Sequence, residues 1–73
     1  MAKRNKDAVY RVIDVVGTSA TSWEDAARSA VKTASKSLRD LRIAEVVKLD
    51  VRVDNGKVTA FRTRLALSFK YED

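Results

Sequence analysis

The chain has 73 residues, enough for one small domain, with 45% hydrophobic and 34% charged positions and a net charge of +5. It contains no His and no Cys, which excludes disulfides, a structural zinc and the usual nucleophile–base pairings of enzymes. No apolar run approaches the ~20 residues of a membrane helix, and the leading Met1-Ala-Lys-Arg-Asn-Lys is not followed by the apolar stretch of a signal peptide, so the sequence reads as a soluble cytoplasmic protein with no membrane partner.

Residues 1–7 are polar and charged, and they read as a disordered basic tail ahead of one domain over 8–73. Lys3, Arg4 and Lys6 carry part of the positive excess there, and the rest alternates with acids along the chain. That pattern describes a solvated surface rather than a nucleic-acid platform, because the few aromatics do not interleave with the cations. A tail-mediated contact with nucleic acid or acidic surfaces is the electrostatic alternative.

Val9 to Val16 is β-branched and apolar enough for a strand buried on much of both faces. Gly17-Thr18-Ser19 then reads as a strand-to-helix turn, with a small anion nest as its weaker functional reading. Thr21-x-x-Glu24 and Ser22-x-x-Asp25 are overlapping capping boxes, with acids where the helix dipole favours them. Trp23, Ala26, Ala27, Ala30, Val31, Ala34, Leu38 and Leu41 then recur at helical spacing, predicting a helix of about 17 residues with one apolar face. Trp23 reads as a core anchor at the helix start, given the apolar area a Trp buries.

Ile43 to Tyr71 folds back at Asn55-Gly56, the strongest short-range hairpin signal, since both residues tolerate positive φ. A two-residue turn there pairs Asp54 with Lys57, Val53 with Val58 and Val47 with Arg64. Side chains alternate, so this register puts Ile43, Glu45, Val47, Leu49, Val51 and Val53 on one face with Arg62 and Arg64. The other face then carries Ala44, Val46, Phe61, Leu65, Leu67 and Phe69, together with Lys48, Asp50, Arg52 and Thr63. A β-bulge would reassign one arm. The order is β-α-β-β, an α+β fold with a three-stranded antiparallel sheet and one helix. Strands of a dozen residues overrun such a helix by roughly 15 Å. Apolar surface left uncovered in this way predicts a closed homo-oligomer.

Charged residues on a self-associating face need partners. Glu45, Arg62 and Arg64 therefore read as an inter-subunit salt-bridge cluster, or else as an anion or ligand site. Asp14, Glu24, Asp25, Asp50 and Asp54 are oxygen donors available to a hard cation such as calcium. Asp54-Asn55-Gly56 shares the start of a calcium loop but lacks its closing Glu, so the hairpin turn is the better reading.

From Tyr10 onward these elements resemble the dodecin family: a first strand closing on Gly17-Thr18-Ser19, one helix, a Glu45-Val46 strand, an Asn-Gly turn and a last strand ending at Phe69. The resemblance implies a sheet wrapped around the helix, and twelve copies forming a hollow shell that binds or stores a small ligand, typically flavin, without turning it over. It aligns the family's flavin contacts with Ile43 and Arg62, and Glu45 and Arg64 on the same face complete the candidate cofactor-binding residues. Two of them depart from the family pattern: Ile43 stands where a Trp stacks on the flavin ring, and Arg62 where a Gln bonds the ring edge. Tyr10 to Asp14, Thr21 to Glu24 and Ser68 to Lys70 are similar to a branch lacking that Trp. A member of that branch is known as a calcium dodecin, which makes calcium the alternative ligand.

Overall fold

The computed structural model describes residues 9–70, so the expected tail over 1–7 and the expected strand end at Tyr71 lie outside the described residues. Four elements follow in order: β1 (Tyr10–Ser19), α1 (Trp23–Ser35), β2 (Leu41–Asp54) and β3 (Lys57–Lys70). The sheet order is β1-β3-β2, antiparallel throughout, so the last strand lies in the middle.

The first strand runs through Gly17 to Ser19 rather than stopping at Val16. Gly17 is neither a turn nor part of a nest; it is where the helix comes closest to the sheet. A Cβ there would lie 2.1 Å from the Ala26 carbonyl oxygen and 2.9 Å from the Ala30 Cβ, so only a missing side chain admits the helix backbone. The Ala-rich stripe allows the same approach from the other side.

Ser22 caps the helix, its hydroxyl accepting the Asp25 N–H at 3.0 Å. Ser19 reinforces the turn, donating to an Asp25 carboxylate oxygen at 2.8 Å and accepting the Thr21 N–H at 2.9 Å. The helix ends at Ser35, shorter than the expected 17 residues. Thr33, Ser35 and Ser37 are weak helix formers, and Asp40 at φ 55° turns the chain into β2. Leu41 therefore belongs to the sheet, opposite Phe69, and not to the helical stripe.

The hairpin turns at Asn55 (φ 51°) and Gly56 (φ 75°), with Asp54 opposite Lys57 and Val53 opposite Val58 as expected. Between these and Val46 the register departs from a simple ladder. One irregularity falls between Arg52 and Val53, another between Val46 and Lys48, and a third between Leu41 and Ile43. The first two offset each other, so Val46 faces Leu65 and Glu45 faces Ala66 as in an unbroken ladder, while Lys48 to Arg52 are shifted by one. Leu49 consequently pairs with Thr63 and Val51 with Phe61, on the helix side. Lys48 pairs with Arg64 and Asp50 with Arg62, on the side turned away. This corrects the expected faces for the middle of β2. The bulge at Val47 sorts apolar from charged residues, where a regular strand mixes them.

The core is small. Leu65, Leu67, Thr63 and Ala26 are buried, where β3 passes beneath the helix. The helix packs on β1 and β3 and barely reaches β2. An open groove of about 350 Å³ is left between α1 and β2, lined by Ala27, Val31, Ala44, Val46 and Leu65. Val46 and Leu49 stay 52% and 49% exposed in this region. Uncovered apolar surface lies both beside the helix, at Val46 and Leu49, and behind the sheet, at Val12, Val16 and Ile43, and the hairpin tip, with Val53 and Val58 exposed, projects beyond the helix. The molecule measures 60 × 20 × 15 Å, three times as long as it is wide. Among the described residues no helix is long and apolar enough to cross a membrane.

Candidate functional site

Trp23 is fixed at the helix start but is not the buried core anchor expected, since it stays 37% exposed. Its Nε1 donates to the Asp50 carbonyl at 3.0 Å, and its ring meets Phe61 edge-on with centroids 5.2 Å apart. Thr63, 1% exposed, donates its hydroxyl to the Trp23 carbonyl at 2.9 Å. The indole is thereby tied to the helix side and is not presented on the sheet face where Ile43 lies.

That opposite face is built in rows of three, one residue from each strand. Val12, Ser68 and Ile43 form one row, and Asp14, Ala66 and Glu45 the next. Val16, Arg64 and Lys48 follow, and then Thr18, Arg62 and Asp50. All four expected site residues, Ile43, Glu45, Arg62 and Arg64, share this face. Arg62 and Arg64 lie in adjacent rows with Glu45 one row further. Ile43, 58% exposed, sits three rows from Arg62, about 20 Å along the strands at their usual rise. Within one chain these two residues do not border a common pocket, so a ligand touching both needs a second copy of the chain.

Asp50, expected on the helix side and as a calcium donor, instead pairs with Arg62. Arg62 grips it with two parallel bonds, Nε to Oδ1 at 2.8 Å and Nη2 to Oδ2 at 3.2 Å, the fork geometry that suits guanidinium and carboxylate. These bonds hold the Asp50 carboxyl below its ordinary pKa, outweighing the opposing effect of desolvation, and the positive charges of Arg62, Lys48 and Arg64 add to the lowering. The same pair raises Arg62 above its ordinary value. A signal for this was present in the sequence: the apolar positions of the strand switch phase from Ala44 and Val46 to Leu49 and Val51, and a phase switch marks a bulge.

The carboxylates singled out for calcium are dispersed. Asp25 is held by Ser19, Asp50 by Arg62, and Asp54 at the hairpin tip by Thr59 at 2.8 Å and Arg52 at 3.3 Å. Asp14 stands on the β1 edge, and Glu24 lines a second groove beside Trp23 and Leu49. Among the described residues no three acidic side chains gather as a cation site.

Comparison with known proteins agrees with this architecture. The family model described as Dodecin matches residues 9–72. The calcium dodecin of Mycobacterium tuberculosis is 52% identical over 64 residues, covering 86% of this chain and 89% of that protein. Its crystal structure, described as that of a calcium-chelating antigen with a novel calcium-binding site, superposes with a TM-score of 0.79 at 48% identity, covering 89% of this chain and 93% of the other. The dodecin from Streptomyces coelicolor superposes with a TM-score of 0.86 at 37% identity, covering 92% and 96%. With the β-α-β-β order, the central last strand and the helix on one side of the sheet, these matches establish that the chain belongs to the dodecin family.

Proposed function

We propose that this chain is a non-enzymatic binding and storage subunit that works as a closed homo-oligomer, twelve copies by family habit, and holds calcium rather than flavin. The observation that carries the choice of ligand is what occupies the flavin positions. Ile43 offers no π face for stacking, and Arg62, its plane set by Asp50, replaces the Gln that bonds the ring edge. Similarity to a calcium dodecin over most of the chain supports calcium instead. Calcium takes six to eight oxygen ligands. The described carboxylates of one chain are dispersed, so a calcium site built on several of them draws on more than one copy. The bare β2 flank supports such an assembly, since Ala44, Val46 and Leu49 need apolar cover that the chain's own helix does not supply.

Calorimetric titration of the native particle with calcium chloride, beside riboflavin fluorescence, tests this reading. Saturable calcium heat that disappears when the particle is dissociated, together with unquenched riboflavin, is the expected result. Stoichiometric quenching of riboflavin without calcium heat overturns it.

A further inference from the structure

The middle of the exposed sheet face carries a charge arrangement that a storage shell for calcium does not explain. Lys48 and Arg64 stand directly opposite each other on neighbouring strands, where like charges destabilise the pair. Arg62 lies in the next row, so the three cations start within about 9 Å of one another at ordinary strand spacing and rise. One carboxylate, Asp50, serves all three, and it bonds only Arg62. Among the described residues neither Asp14 nor Glu45, in the row beyond, makes an ion pair with Lys48 or Arg64. Asp50 also fixes the plane of the Arg62 guanidinium through Nε and Nη2, leaving Nη1 to donate elsewhere. Thr18, exposed on the β1 edge, is the strand partner of Arg62 in the same row.

We propose that Lys48, Arg62 and Arg64, with Thr18 at the strand edge, form a binding site for a small phosphate-class oxyanion. A tetrahedral dianion relieves the Lys48–Arg64 repulsion and accepts charge-assisted bonds from two guanidinium groups and an ammonium. The site is complete within one chain and does not depend on calcium binding.

The test is calorimetric titration of the native particle with inorganic phosphate, at constant ionic strength against chloride. Saturable phosphate binding is expected. Arg64→Gln and Lys48→Gln should each weaken it about ten-fold, the loss of roughly one charge-assisted contact. Lys57→Gln at the hairpin tip should leave it unchanged. A nucleoside monophosphate binding as well as phosphate assigns the site to phosphorylated compounds in general, whereas phosphate alone restricts it to the inorganic ion. No saturable heat overturns the proposal, as does equal weakening by Lys57→Gln or a preference for duplex DNA. So does a fall in particle mass in Lys48→Gln and Arg64→Gln when the parent binds no phosphate, because the patch then faces a second copy. Calcium heat is read separately on each variant, so failure of one site is distinguishable from failure of the other.

Discussion

β2 and β3 are the two arms of one hairpin, 14 residues each and similar in apolar content, yet their surroundings differ sharply. β3 sinks Thr63, Leu65 and Leu67 to 1% exposure or less, whereas no residue of β2 is buried. Composition does not separate them; position does. β3 is paired on both edges and roofed by the helix, while β2 has one open edge and lies outside the reach of the roof. A side chain gains the hydrophobic effect only when something covers it, and β2 must find that cover on another molecule.

The contrast breaks most sharply at matched leucines. Leu65→Ala should cost about 2–5 kcal/mol in denaturant unfolding, the range for an emptied core site. Leu49→Lys should leave the protomer folded but lower the particle mass in ultracentrifugation. If both variants only destabilise the fold, β2 is buried in the protomer after all. Gly17→Ala sharpens the roof itself: its methyl group meets the Ala26 carbonyl, and the overpacking should cost about 1–3 kcal/mol in thermal unfolding. Thr63→Val keeps the shape and removes the bond to the Trp23 carbonyl, for an expected loss of about 1 kcal/mol, accompanied by a change in Trp23 fluorescence.

The smallest effect is expected at the exposed Asp50–Arg62 fork. The Asp50 pKa is lowered in the folded state, so its contribution is present above the unfolded carboxylate value and is lost as pH falls through the lowered one. Asp50→Asn should therefore lower stability slightly at neutral pH, converge with the parent in strong acid, and so flatten the acid limb below about pH 4. An unaltered acid limb would show that the fork contributes nothing.

Much of this was legible in the residues. Asn55-Gly56 fixed the turn with its Asp54–Lys57 and Val53–Val58 pairs, and Ser22 and Asp25 the helix start, whereas the expected Val47–Arg64 pair gave way to Lys48–Arg64. The departures share one cause, that strand arithmetic assumes a regular ladder. The extra residue at Val47 moved Asp50 from the helix side to the side of Arg62, which created the fork. Gly17 was read as punctuation because a glycine between strand and helix has two meanings locally. Only the helix lying against it decides which one applies.

By itself, the chain determined the number and order of its elements, the place of its tight turn and the lack of His and Cys chemistry, because these depend on neighbouring residues and on side-chain type. Tertiary structure alone decided which strand is central, how far the helix reaches, and that three cations meet around one carboxylate. Those depend on long-range register, where a single inserted residue turns every side chain beyond it to the other face until a second insertion restores it.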